Sequence, residues 1–367
     1  MYELAKETSG AMFTSEHRYY GASKPDKQNN ATDAEYFKHL TVRQALEDIA
    51  KFLKYIKSQL NFNKSKVVVV GGSYSANLAA WMRLLYPKLV DAALASSAPV
   101  LAKKDFYEYM EKVGDNYERY GTSECIGTIE NIFSRYDKLF QTEDGIRQLK
   151  MEENICAECD LELKENKQLF FSSNTAEFAT NSQYGNTYAI RNHCQKLQDN
   201  LEPRQSQNEC VCYNFSASIE QYYHPENDWL LAWTYQICTE LGYFQTLNSE
   251  SQPFSNNLGV EFSVKTCSQL FGPEFDEARV DAGVEHINEL FGGLEPNVTN
   301  VVFTNGDLDP WSTISVLEDL SRKTPAIVIP RESHCRDILS NTQRDSQELI
   351  EARKQIKDLI KKYIGAE

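Results

Sequence analysis

A doubly wound α/β fold, built on a mostly parallel sheet and interrupted by a helical insertion, is predicted by three features of the sequence. Short runs of branched apolar residues alternate with helical patterns near both ends of the chain. That alternation disappears between about residues 103 and 225. The ends of the recovered strands carry residues suited to acyl transfer, which is where such sheets collect their chemistry.

Taken in order, Ala11–Thr14 is a short apolar run and reads as a strand, followed by "EHRYYG" and a polar loop to about residue 38. "TVRQALEDIAKFLKYIKSQL" opens with a capping box, Thr41 with Gln44, and then repeats apolar residues at Leu46, Ile49, Leu53, Ile56 and Leu60. That is the spacing of one helix face. Val67–Val70 read as a fully buried strand, Asn77–Tyr86 as a helix ended by Pro87, and Val90–Ala95 as a second strand closed by "SSAP". The middle segment is charged, rich in Asn and Gln, and holds most of the cysteines. Its periodic stretches "DFYEYMEKVGDNYERY" and "ECIGTIENIFSRYDKLF" predict helices. Strands return at Asn300–Thr304 and Ala326–Ile329, and an amphipathic helix over Ser346–Ile364 ends the chain. The expected division is therefore 1–102 and 226–367 as two parts of one core, with 103–225 inserted between them.

Bulk properties narrow the function. The 367 residues carry 38 basic and 53 acidic side chains, a net charge of −15, which repels phosphates and disfavours nucleic acid. No apolar run has membrane-spanning length. Nine cysteines are many for a chain kept in a reducing compartment. Acceptor-type sequons at Asn30, Asn63, Asn214 and Asn297 point the same way. Yet no basic start followed by an apolar core, the mark of a signal peptide, is visible in residues 1–20. Cys156, Cys159, Cys194, Cys210 and Cys212, with His193, could suggest zinc, but their spacing matches no standard site and disulfides are the expectation. The odd count leaves at least one thiol unpaired, for which Cys335 is a candidate. No metal or cofactor is expected.

The chemistry centres on "VVVVGGSYSANLAAW", residues 67–81. A serine on a sharp strand-to-helix turn projects its hydroxyl where a base and a substrate can reach it. Ser73 is that serine, with Gly71 and Ser75 as small flanks; Ser75 stands where the G-x-S-x-G pattern has its last glycine. A serine hydroxyl needs a base, and the base needs a carboxylate behind it. "NGDLDPWS" offers Asp309, or Asp307 two residues earlier, after one strand; "SHCRD" offers His334 after the next. Alone, the aspartates read as turn residues and the histidine as structural. Together, Ser, Asp and His each come just after a predicted strand, in the chain order of an α/β-hydrolase triad. The backbone N–H of Tyr74 is the expected oxyanion donor.

These stretches, with "EHRYYG" and "WTYQICTELGYFQT", resemble the family of prolyl carboxypeptidase, dipeptidyl-peptidase II and thymus-specific serine protease, especially its thymus-specific-like invertebrate branch. The resemblance runs from about residue 3 to the C-terminus. It implies Ser73 as nucleophile, Asp309 rather than Asp307 as carboxylate, His334 as base, and a helical domain inserted in the hydrolase fold. It further implies Trp311 as the wall of a proline pocket and a secreted or lysosomal setting. The expected function is a serine-type exopeptidase acting on short peptides, with a homodimer left open. A cation would hold a substrate's C-terminal carboxylate and an acid such as Glu240 an N-terminal amine, so carboxypeptidase and dipeptidyl-peptidase modes both stay open.

If Val67–Val70 is the fifth strand of such a fold, Ala11–Thr14 is the fourth and the first three are absent. The expectation is an N-terminally truncated chain with an exposed sheet edge and one oxyanion donor lost, hence a weakly active or inactive homologue. A lipase or esterase shares fold and triad, but the acidic insertion lacks an apolar lid. A non-enzymatic relative that binds a partner through its helical domain is the remaining alternative.

Overall fold

The computed structural model describes residues 2–26, 32–199 and 209–366. Four strands form one all-parallel sheet in the order β1 (Val68–Gly72), β2 (Ala92–Ser96), β5 (Val301–Gly306), β6 (Ala326–Ile329). Parallel neighbours need crossovers, and helices supply them. Helix α1 (Val42–Gln59) precedes β1, and α2 (Tyr74–Leu85) joins β1 to β2.

The period of two along β2 sorts side chains onto two faces. Ala93 and Ala95 pack with Val301, Phe303 and the α2 residues Ala76, Ala79 and Ala80. Ala92 and Leu94 face the other way, onto Val302, Ile327 and Leu349, Ala352, Ile356 and Ile360 of the last helix, Gln347–Ile364. Both faces are covered, so the strand reads as unbroken apolar sequence, as central parallel strands do.

A second, two-stranded parallel ribbon pairs β3 (Lys103–Asp105) with β4 (Gly242–Phe244), in register Lys103 to Gly242 and Asp105 to Phe244. It pinches together the two ends of the intervening segment. Between them lie α3 (Glu108–Tyr120), α4 (Cys125–Leu139), α5 (Lys164–Tyr184) and the helix Thr187–Asp199. Cys125–Cys194 staples two of these helices, Cys156–Cys210 and Cys159–Cys212 join loops of the same segment, and a fourth disulfide, Cys238–Cys267, lies beyond them. Cys335 is free. One apolar cluster runs from Leu46 of α1 and Trp81 of α2 to Phe133, Phe170 and Phe171 of the helical segment.

Several expectations change. Ala11–Thr14 is not a strand: it is exposed, and Phe13 rests edge-on against Phe52 and Phe62 instead. A strand exists only by pairing, and no described strand lies beside this segment. For the same reason the valine run is not fully buried: β1 is a sheet edge, and Val70 is 37% exposed. The polar loop before residue 38 contains a short helix, Asp33–Phe37, closed by a reciprocal capping box of Thr32 with Glu35. At Thr41 only half of the expected box forms. The Thr41 hydroxyl accepts from Gln44 N–H, while the Gln44 side chain turns to Arg18. Helix α2 begins at Tyr74, three residues earlier than its pattern suggested. The cysteines that might have held zinc are joined as disulfides.

Candidate active site

The sharp turn from β1 to α2 sets the first element of the site. Ser73 sits at φ 59°, ψ −134°, a conformation that costs a side-chain-bearing residue on the order of 1–3 kcal/mol. Gly71 is required by close approach, since a Cβ there would lie 2.0 Å from the carbonyl oxygen of Ser75. Ser75 explains its own departure from glycine: its hydroxyl donates to the Gly72 carbonyl at 2.7 Å and accepts the Gly72 N–H at 2.9 Å. As the first residue of α2, Tyr74 has an N–H with no intrahelical acceptor, beside the Ser73 hydroxyl.

Strain gathers at the carboxyl end of the sheet. Ser73 (φ 59°), Ser97 (φ 51°) and Cys335 (φ 58°) are all non-glycine residues at positive φ, and they are tied together. The Ser96 carbonyl accepts the Ser73 N–H at 2.9 Å and the Cys335 thiol at 3.7 Å. The Ser97 hydroxyl accepts the Cys335 N–H at 2.9 Å. Left-handed backbone at three linked positions is characteristic of a functional site.

His334 completes the pair predicted for it. Its Nδ1 lies 2.7 Å from Asp309 Oδ2, and because a carboxylate can only accept, Nδ1 carries the proton and Nε2 is left as the basic nitrogen. Asp309 is fully buried, and its other oxygen accepts the Trp311 N–H at 3.1 Å, which fixes its rotamer at the start of a short turn, Pro310–Ile314. Of the two aspartates only Asp309 bonds to His334; Asp307 Oδ1 accepts the backbone N–H of Arg331 instead. Burial disfavours the imidazolium of His334, but the charge and hydrogen bond of Asp309, helped by the Cys335 thiol, outweigh it and raise its pKa. Among the described residues no hydrogen bond joins the Ser73 hydroxyl to His334. Such contacts are often loose before substrate arrives.

The helical segment reaches this centre. The Gln183 carbonyl, at the end of α5, accepts the His334 N–H at 2.9 Å, and the Tyr184 ring stands edge-on to the imidazole, 6.0 Å between centroids. Trp311 is walled by Phe106, Tyr109 and Tyr243, with centroids 5.3, 5.7 and 5.3 Å away, and is only 9% exposed. Glu240 lies in the turn Ile237–Leu241 and is engaged elsewhere, accepting the Val42 N–H at the start of α1 at 2.9 Å. Burial raises its pKa to about 7 against that bond.

The stretch "EHRYYG" has a place in the site that its sequence does not reveal. Here His17 and Tyr20 meet beside Tyr74, the residue after Ser73. Tyr74 accepts from Gln236 Nε2 at 2.8 Å, Tyr20 donates to Gln236 Oε1 at 2.6 Å, and His17 Nε2 lies 3.3 Å from the Tyr74 hydroxyl. His17 Nδ1 is 2.8 Å from the Arg18 carbonyl, which only accepts, so Tyr74 donates to a neutral His17 Nε2. Burial lowers the His17 pKa and favours that neutral form. The network braces Tyr74, the residue that follows Ser73.

Elsewhere, Asn63, Asn214 and Asn297 are exposed, whereas Asn30 lies outside the described residues. Asn214 also caps the helix Phe215–Gln221. Among the described residues no helix is long and apolar enough to cross a membrane.

Known proteins resemble this chain along most of its length. A candidate serine protease of Caenorhabditis elegans is 30% identical over 99% of this chain and 76% of its own length. The thymus-specific serine protease of Mus musculus is 29% identical over 98% and 76%. The lysosomal Pro-X carboxypeptidase of Homo sapiens is 28% identical over 96% and 74%. A proline iminopeptidase from Mycobacterium smegmatis superposes with a TM-score of only 0.33 at 9% identity, covering 90% of this chain and 74% of that one, too distant a likeness to weigh. The serine carboxypeptidase S28 pattern matches residues 1–356, and the chain is a serine-type peptidase belonging to that family.

Proposed function

We propose that this protein is an exopeptidase that cleaves short peptides after proline, with Ser73 as nucleophile, His334 as base and Asp309 as its partner. The observation that carries the reading is the buried Asp309–His334 hydrogen bond beside the strained Ser73 turn. In this reading Ser73 Oγ attacks the scissile carbonyl carbon as its proton passes to His334 Nε2. The Tyr74 N–H donates to the oxyanion that forms. The C–N bond then breaks, His334 returns the proton to the leaving amine, and water repeats the sequence on the acyl-enzyme. Asp309 holds the Nδ1 tautomer and stabilises the transient imidazolium. Trp311, held rigid by three rings, presents an aromatic wall suited to a pyrrolidine ring. The preference for proline is supported by the likeness to the human relative, a Pro-X carboxypeptidase.

A secreted or lysosomal setting belongs to the same proposal. It is supported by four disulfides, three exposed sequons and the lysosomal designation of that relative.

The test pairs two substrates that share an internal proline: one blocked at its N-terminus with a free C-terminal carboxylate, the other with a free N-terminus and an amide-linked fluorophore. Turnover of either one alone assigns the exopeptidase mode, and Ser73→Ala must abolish it. Cleavage of a short-chain ester with neither peptide touched would replace this reading with an esterase.

A further inference from the structure

We propose that Asp337 is a positioning residue that sets the distance between the hydroxyl of Ser73 and the imidazole of His334. The proposal rests on the assignment of those two residues as nucleophile and base. Asp337 lies three residues beyond His334 in the short turn Arg336–Ile338 and is 8% exposed. Its carboxylate bridges two strands of the sheet. One oxygen accepts the Ser96 hydroxyl at the end of β2, and the other accepts the Thr304 hydroxyl of β5 at 2.8 Å. Ser96 and Thr304 are partners in the β2–β5 register, so the carboxylate spans adjacent strands at the level where the chemistry is placed.

Ser96 makes the link to the nucleophile. Its side chain holds Asp337, and its carbonyl holds the Ser73 N–H at 2.9 Å. One residue is therefore tied by backbone to the nucleophile and by side chain to the loop that carries the base. Beyond the His334 N–H held by Gln183, the same loop is fastened by three more hydrogen bonds. The Cys335 N–H donates to the Ser97 hydroxyl, and Arg353 of the last helix donates to the carbonyls of Asp337 at 3.0 Å and Arg336 at 2.7 Å.

The residue type fits the task. Two hydroxyl donors converge on one side chain, and a carboxylate offers an acceptor to each. An asparagine would offer one oxygen and present an N–H₂ to the other hydroxyl, forcing that hydroxyl to turn. The Arg353 charge favours this carboxylate from a distance, but its guanidinium bonds to the Asp337 and Arg336 carbonyls and to Asp345. Among the described residues no lysine or arginine forms a salt bridge with the Asp337 side chain. Retaining a buried, ion-unpaired carboxylate is costly, which calls for a return other than bulk stability. Aspartate also lacks the reach of glutamate, so loop height is fixed by its single methylene.

The test measures kcat per active site, titrated with a serine-directed phosphonate, together with KM and the melting temperature. Asp337→Asn is expected to lower kcat per titrated site by about tenfold to a hundredfold with KM within about twofold, because small displacements of reacting groups act on the chemical step. Asp337→Glu restores the charge without the geometry and is expected to stay impaired. Thr304→Val and Ser96→Ala each remove one of the two bonds. They are expected to show smaller losses of the same kind, and they serve if Asp337→Asn fails to fold. Wild-type kcat per titrated site in Asp337→Asn, or in both hydroxyl variants where Asp337→Asn does not fold, would overturn the proposal even if melting temperatures fall. Absence of phosphonate labelling at Ser73 in the wild-type protein would instead overturn the triad reading, and this proposal with it.

Discussion

The sheet and the helical segment achieve order by opposite means. Along β1, β2 and α2 the interior is built from small residues, Ala76, Ala79, Ala80, Ala93 and Ala95 with Gly71, and backbones approach closely. In the helical segment the interior is aromatic: Phe133, Tyr136, Phe170, Phe171 and Phe178 interlock with centroids 5.0–6.5 Å apart. Disulfides add to it by closing loops of 69, 54 and 53 residues. In the chain-entropy account, a single closure of that length stabilises by roughly 4 kcal/mol, and the interleaved pair Cys156–Cys210 and Cys159–Cys212 acts as little more than one closure. The difference separates two tasks. Where reacting atoms must be placed, the chain uses strained turns and small side chains that leave no slack. Where a surface must be held over those atoms, it uses large rings and covalent staples. The two meet at Gln183 and Tyr184, which touch His334.

If that separation is right, substitutions at the sheet end will act on kcat and substitutions in the helical segment on stability. The largest effect is expected from Ser73→Ala or His334→Ala, each lowering kcat by about 10⁵-fold or more in steady-state peptide hydrolysis. Asp309→Asn is expected to cost on the order of 10⁴-fold. It should also move the pH profile. Activity needs neutral His334 and is lost as pH falls through its pKa, which Asp309 raises; removing that charge lowers the pKa, so the acid limb shifts to lower pH while the maximum falls. A limb that stays in place would dissociate Asp309 from the base.

Gly71→Ala tests the close approach itself. With a Cβ 2.0 Å from the Ser75 oxygen, it should lose activity together with a clear drop in melting temperature. Replacing both Cys125 and Cys194 by serine should cost about 2–5 kcal/mol in denaturant unfolding while leaving kcat per titrated site within about twofold. A large fall in that kcat would show that the staple also places the base. Smallest of all, Asp307→Asn should change kcat by less than about twofold, since Asp307 serves the Arg331 backbone.

The four strands of the main sheet are legible as short runs of apolar residues, whereas the surroundings of Ser73 are legible only in part. Ser73 stood out because a valine run, two small residues and a helix pattern are local signals, and a strained elbow needs all three. Asp309 and His334 were legible only as a set, from their order after successive strands. The choice between Asp309 and Asp307 rested on resemblance alone, because two carboxylates two residues apart look alike until the turn at Pro310 aims one of them inward. Ala11–Thr14 misled because a strand is defined by its partner, which a short apolar run does not reveal. Asp337 was in view within "SHCRD", but its meaning depends on Ser96 and Thr304, which are 241 and 33 positions away in the chain. The disulfide pairs were hidden for the same reason.

The account depends on Ser73 being activated through His334, and covalent labelling reads this most directly. Treated with a fluorophosphonate and digested for mass spectrometry, the wild-type protein is expected to carry the adduct on Ser73, and His334→Ala to carry almost none. An adduct on another serine, or equal labelling of Ser73 in both proteins, would contradict it.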